Sequence, residues 1–440
     1  MNFRSSVMRP NVAAIIAIVA CLSTSSFISV KAHFDYKDAL TKSIIFLEAQ
    51  RSGKLPSNNR VPWRGDSALD DGKVVNVDLV GGYYDAGDNV KYGLPMAFTV
   101  TTLAMNAVFY EKELESTGEM QHVLDAIKWG TDFFLKASNK RDCLYVQVGD
   151  PVLDHECWAR PETMKTPRPV LKIDASGPGT EIAAEAAAAF ASSSMVFRNC
   201  NKTYSRLLLN KAKSMFQFAK AHKATFDGEC PFYCSFSGYN LFYEGEKSME
   251  QYKTQAESYV CSNLPQSPYH QVYITPGGMI HLRDGANSQY VTGTAALFSI
   301  YSDILKTNNQ KVCCGSQQFD SEALMGFARQ QMDYILGANP EKRSYMVGFG
   351  ANPPVQAHHR GASIPCTAPD TVSCPMSFVQ YFNKDAPNPN VLTGAILGGP
   401  DKNDVFHDKR WESVFTEPCT YVNSLAVGVL AKLAACPTNQ

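Results

Sequence analysis

The sequence predicts an all-α domain: helical hairpins stacked around a ring or bundle, with the working surface built from the loops between them. Three observations carry this. Apolar residues recur at helical spacing in eight segments, and more weakly in a ninth, while strand-like alternation is scarce. Long irregular stretches, 53–94, 138–179, 262–287 and 337–416, separate these segments and are rich in Pro, Gly, Asp and aromatic residues. Loops of that length inside a compact domain are usually functional. No low-complexity linker divides the chain, and its 440 residues, 45% of them hydrophobic, fit one large domain with a sizeable core.

In chain order, 35–52 carries Tyr36, Leu40, Ile44 and Leu47 on one face and stops at Gly53. Residues 96–112 follow Pro95, which suits a first helical turn. Leu124, Ile127 and Phe134 share a face over 121–137. Residues 180–198 are alanine-rich, with high helix propensity and side chains small enough for close packing. Residues 204–223, 288–306 and 320–336 repeat the amphipathic pattern, 246–260 does so weakly, and 419–435 closes the series with Tyr421, Val422, Leu425, Val429 and Leu433.

Arg4 and Arg9 precede an apolar run, 11–22, too short for a comfortable membrane span. With a small-residue site at Val30-Lys31-Ala32, residues 1–32 read as a secretory signal and the mature chain as 33–440. An uncleaved anchor is the alternative, and Ser23 to Ser26 interrupt it. The expected compartment is extracellular, with no membrane association after cleavage. Basic and acidic residues balance, 41 against 42, so no basic field points to nucleic acid, and a neutral substrate fits better than a polyanion. Of 13 cysteines, Cys21 leaves with the signal. The remaining even number suggests disulfides rather than zinc, for which no CxxC pair occurs. Asn201-Lys202-Thr203 is an N-glycosylation sequon.

Three clusters carry candidate chemistry. In GGYYDAGDNVKYG, 81–93, Asp85 and Asp88 lie three apart among glycines, in a loop that can aim both at one point. One reading is acid–base work, with one carboxylate accepting a proton from water and the other assisting. The other is a structural or calcium-binding turn whose carboxylates cap backbone N–H groups. In FHDKRWESVFTEPCTYVNS, 406–424, Asp408 precedes Glu417, which stands before Pro418 and the last helix. Glu417 is either a cap for that helix or, partly buried beside Phe415 and Tyr421, an acid that keeps its proton near neutral pH. In SYMVGFGANPPVQAHHRGAS, 344–363, His358 and Arg360 offer directed donors to polyol hydroxyls, or hold their own loop together. Adjacent histidines with no third ligand nearby do not make a metal site. Trp63, Tyr83, Tyr84, Trp158 and Trp411 fall in loops, where their rings either stack on sugars or pack in the core.

These motifs, together with WRGDSALDDG (63–72), DHECWARPETM (154–164), ASGPGTEIAAEAAAA (175–189), YITPGGM (273–279), DYILGANP (333–340) and GGPDKNDVF (398–406), occur in an order that resembles glycoside hydrolase family nine. The plant secreted β-1,4-endoglucanases are the nearest branch, and the resemblance covers nearly all of 34–435. It implies an (α/α)6 barrel of helical hairpins with a cleft across its loop end. It also implies inverting endo-hydrolysis of β-1,4-glucosidic bonds in cellulose or related β-glucans. By resemblance Asp88 is the general base, Asp85 its assistant and Glu417 the general acid. Asp408 and His358 match active-site positions, and Arg360, His155, Trp158 and Tyr421 match positions that contact the sugar. An inverting pair leaves room for a water, with carboxyls about 6.5–9.5 Å apart. The resemblance implies a monomer acting on β-glucan in the cell wall, and no required cofactor. Calcium occurs in the family, but no EF-hand spacing is present.

The chain departs from the family at Ser413, where an aromatic is usual, at Cys419, and most of all near 239–245. There Tyr239 runs straight into NLFYEGEKSMEQYK, and material for roughly two helices, about one hairpin, is absent. A ring short of a hairpin exposes apolar faces on its neighbours. Two functions follow: an active endoglucanase, or a catalytically impaired glucan-binding cell-wall protein.

Overall fold

A computed structural model describes residues 34–224, 249–369 and 372–435. The signal assigned to 1–32 and the junction at 239–245 lie outside the described residues. Every segment predicted to be helical is a helix. They are α1 (Tyr36–Ala49), α2 (Gly93–Phe109), the short α3 (Glu111–Thr117), α4 (Met120–Ala137), α5 (Thr180–Val196), α6 (Lys202–Ala221), α7 (Met249–Asn263), α8 (Ser288–Asn308), α9 (Ser321–Leu336) and α10 (Thr420–Ala435). Local chemistry sets several boundaries. Asp35, Asn201 and Asp320 accept from backbone N–H groups at the starts of α1, α6 and α9. Gly118, in the left-handed region at φ 82°, ends α3. Pro95 falls within the first turn of α2, where its missing N–H costs nothing.

The core is a row of central helices in the order α5, α2, α10, α8, each packed on the next. α1 and α3 lie against α10, α4 lies against α2, α6 against α5, and α9 against α8. This is the packing of helical hairpins, one helix inside and one outside. α10 carries the most buried face, with Val427, Val429, Leu430 and Ala431 at zero exposure. Hydroxyl pairs lock its sides to α2: Thr99 with Thr420 at 2.9 Å, and Thr102 with Ser424 at 2.7 Å. Nine helices of 14–21 residues stand among the described residues, against the twelve of six hairpins.

Strands are few, but one sheet matters. β1 (Lys91–Tyr92), β2 (Cys143–Val148) and β3 (Val170–Asp174) form an antiparallel sheet in that order. It ties the end of the aspartate loop to the segment leading to Trp158. β4 (Tyr273–Ile274) pairs with β5 (Ile280–His281), and β6 (Val312–Cys314) with β7 (Gln317–Phe319). β2 was not foreseen: all six of its residues are buried, so the run shows no alternation.

Disulfides join Cys157 to Cys374 and Cys261 to Cys314. Cys313, next to the bonded Cys314, is an exposed thiol. Cys366 is also an exposed thiol. Cys230, Cys234 and Cys436 lie outside the described residues.

Candidate active site

The aspartate loop is held from behind by a buried charge cluster. Lys91 donates to the carbonyls of Leu79 and Gly81 and pairs with Asp71 at 2.7 Å, both side chains fully shielded. Arg168 grips the same Asp71 through Nε and Nη2 and donates to the Asn89 carbonyl. From the side, Gln50 donates to the carbonyl of Ala86 and accepts from His359. These contacts fix both ends of 81–91, so Asp85 and Asp88 project from a rigid turn.

Glu417 reaches this turn from the far end of the sequence. Its carboxylate accepts from the Gly87 N–H at 3.2 Å, and the Asp85 carbonyl accepts from Thr420 N at the start of α10. Glu417 therefore does not cap the last helix; the aspartate loop takes that place. Gly87 permits the approach. A β-carbon there would lie 2.1 Å from the His358 carbonyl oxygen, so only glycine fits where the aspartate loop meets the His358 loop.

The three carboxyls share one poorly solvated space. Asp88 is 6% exposed, and Oδ1 of both Asp85 and Asp88 is shielded with no hydrogen-bond partner. Burial, then the charges of Asp88 and Glu417, push the Asp85 pKa well above the carboxylate range. Burial, then Asp154, raises Asp88 to about 7, against the opposing pull of Arg360 and His155. Burial raises Glu417 too, while the Gly87 hydrogen bond works the other way. Tyr421 and Cys419 border the same space, and burial beside these carboxyls raises both.

The other expected site residues divide. His358 stands at the cluster: Nδ1 donates to the Arg410 carbonyl at 2.7 Å, which leaves Nε2 as an acceptor. Burial lowers its pKa to about 4, so it is neutral at working pH. His155 donates to the Pro151 carbonyl and stays 42% exposed beside Asp88. Asp408 is not brought to the carboxyl cluster by its contacts. It accepts from the N–H groups of Val355 and Gln356 and pairs with Arg343, supporting the loop before His358.

Two expectations are corrected. Arg360 was expected on the sugar, but it is 1% exposed and donates to the carbonyls of Cys157, Gly87 and Asp154 and to the Asp154 carboxylate. Trp158 was expected to line a subsite, but it is 2% exposed. Its ring is covered by Arg360, His358 and Phe382 at 4.7–4.9 Å, and its N–H donates to Ser363. Both are fully engaged inside the protein and hold the His358 loop against the aspartate loop. Tyr83 and Tyr84 are likewise core residues, at 1% and 2% exposure, while Trp411 remains 39% exposed.

The sequence reading missed Asp154. Oxygen and nitrogen atoms of Asp88, Asp154 and His155 lie within 4.8 Å of one another, the one such grouping of three found among the described residues. The Arg360 guanidinium, 2.9 Å from Asp154, is the cation this group already holds, and no metal is assigned to it.

Comparison with known proteins decides the family. The profile of glycosyl hydrolase family 9 matches residues 36–246 and 240–430. The chain belongs to glycosyl hydrolase family 9. It is 64% identical to Endoglucanase 16 of Arabidopsis thaliana over 91% of this chain and 93% of that one. It is 58% identical to Endoglucanase 8 of Oryza sativa subsp. japonica, over 91% and 90%. The solved endoglucanase of the termite Nasutitermes takasagoensis superposes with a TM-score of 0.74 at 32% identity, covering 91% of this chain and 99% of that one. The fold is thus the family's (α/α)6 barrel. The Arabidopsis alignment runs over 452 positions, although 91% of this chain is only about 400 residues. On the order of fifty aligned positions therefore face no residue here, enough for two or three helices.

Proposed function

We infer that this chain is an endoglucanase that hydrolyses internal β-1,4-glucosidic bonds of cellulose or related β-glucans with inversion. Asp88 acts as general base, Asp85 as its assistant and Glu417 as general acid. One observation carries the assignment: Asp85, Asp88 and Glu417, from loops some 330 residues apart, share one buried cluster joined by the Gly87–Glu417 hydrogen bond.

The chemistry follows from the environments. Glu417, whose pKa burial raises, gives a proton to the leaving glycosidic oxygen. Asp88 takes a proton from the water that attacks the anomeric carbon from the opposite face. Asp85, whose pKa burial and the neighbouring carboxylates push up, assists by orienting the water or the Asp88 carboxylate. Neutral His358 offers Nε2 as an acceptor to a sugar hydroxyl. Tyr421 borders the acid, with its hydroxyl protonated. The substrate is a neutral polysaccharide, and the chemistry needs no metal or cofactor. The leader-like segment 1–32 and the exposed Asn201, at a helix start, support secretion to the cell wall and glycosylation.

A ring shortened near 239–245 is part of this reading. The two profile matches meet between residues 240 and 246, and α5 and α8 stand at the two ends of the central row. Met195 on α5, Leu209 and Phe216 on α6, and Leu297 and Ile304 on α8 are exposed. The glucan-binding, catalytically impaired alternative rests on this shortening alone; the assembled carboxyl cluster favours the enzyme. Reducing-sugar release from carboxymethyl cellulose tests it. Asp88→Asn and Glu417→Gln should each abolish release while cellulose binding persists. Near-full activity in either variant removes that residue's assigned role.

A further inference from the structure

We propose that Asp154 is a positioning residue of the reaction: its buried carboxylate, held by Arg360, braces the loop carrying Asp88 and sets the basicity of that carboxylate. The inference rests on the reading of Asp88 as the base and extends it to a residue outside the carboxyl pair.

The geometry makes Asp154 a hub. It sits in a short helix, Pro151–His155, that Asp150 caps by accepting from Val152 and Leu153 N–H groups. Its side chain is 3% exposed. Oδ2 meets Arg360 Nη2 at 2.9 Å and accepts from the Asn89 N–H at 3.5 Å, one residue past the base. Oδ1 is buried with no hydrogen-bond partner. Arg360 in turn donates from its backbone and from Nη1 to the Gly87 carbonyl, one residue before the base. Asp154 and Arg360 thus clamp the turn on both sides of Asp88.

The same arrangement places a second charge beside the base. Carboxylate oxygens of Asp88 and Asp154 lie within 4.8 Å, in a site poor in solvent, where charges interact strongly. The charged and titratable groups facing Asp88 are Asp154 and His155 from the short helix, Arg360 from the His358 loop, Asp85 from its own turn and Glu417 from the start of α10. Asp154 adds the largest like charge. A like charge makes Asp88 hold its proton more tightly, and a more basic carboxylate takes a proton from water more readily.

The test is the acid limb of kcat/KM against pH on carboxymethyl cellulose, for wild type, Asp154→Asn and Asp154→Glu. Asn removes the like charge and leaves Arg360 uncompensated, and both changes favour ionised Asp88. The limb should move about one pH unit or more to lower pH, with plateau kcat lowered several-fold and KM within about twofold. Glu keeps the charge, so its limb should stay within a few tenths of a pH unit of wild type. An unmoved limb in a folded Asp154→Asn, with activity lowered equally at all pH, makes Asp154 merely structural and overturns the proposal. If Asp154→Asn does not fold, Asp154→Glu decides alone: a limb displaced by a unit with the charge retained overturns it. Asp88→Asn separates the two claims. Activity retained there removes the base assignment, whereas loss there with an unmoved Asp154→Asn limb removes only the role of Asp154.

Discussion

Replacing Asp88 by Asn should abolish catalysis and, relative to wild type, make the protein more stable at neutral pH than at acid pH. Asp88 is nearly sealed from water, and burial together with Asp154 raises its pKa from 3.8 to about 7. The folded protein therefore holds the Asp88 proton more tightly than the unfolded chain does. Stability from this group is present below about pH 4 and is lost as pH rises to about 7. One pH unit of difference is worth ~1.4 kcal/mol, so a shift of about three units amounts to on the order of 4 kcal/mol. An asparagine has no proton to lose. The assay is urea unfolding of wild type and variant at about pH 4, 5.5 and 7.5, followed by circular dichroism. The unfolding free energy of the variant minus that of wild type should grow by roughly 3–4 kcal/mol from the acid to the neutral end. A difference that is flat, or that shrinks with rising pH, would mean that Asp88 is not a desolvated carboxyl.

Gly87→Ala should lower kcat/KM by about 100-fold or more, since the new methyl meets the His358 carbonyl at 2.1 Å and drives the aspartate loop away from the His358 loop; steady-state kinetics reads this. Lys91→Met strands buried Asp71 with Arg168 as its remaining partner, and should cost about 3 kcal/mol in chemical denaturation. Phe216→Gln together with Leu297→Gln, both 57% exposed, should reduce binding of an apolar dye and leave the thermal midpoint within a degree or two. A steep fall in midpoint would mean these side chains are covered and the ring is closed.

The helices were legible because each leaves a 3.6-residue apolar repeat, and tertiary packing here agrees with local propensity. β2 was not, because a strand buried on both faces shows no alternation of apolar and polar residues. The carboxylates of the site were legible through their motifs, and the glycines around Asp85 and Asp88 marked a turn. The clamp was not. Asp154, Gly87 and Arg360 act through contacts across 65 to 273 residues of sequence, which no local pattern encodes. The one available signal for Asp154 was its place beside His155 in DHECWARPETM. Arg360 and Trp158 were misread for a related reason. Their donors and ring faces suit a sugar, but burial decides who receives them, and here Asp154, Cys157 and Phe382 do.

Asp88 and Glu417 divide the work of base and acid in one displacement at the anomeric carbon. The stereochemistry of the first product reports on that division. Cellopentaose mixed with the enzyme in an NMR tube, and followed from the first minute by the anomeric proton signals, reports the new reducing end before mutarotation erases it. Inversion by a water held on Asp88 predicts that the α-anomer accumulates first and then relaxes towards equilibrium. An initial excess of the β-anomer would mean a covalent glycosyl-enzyme and two displacements, with a carboxylate as nucleophile and Asp88 not acting as base towards water.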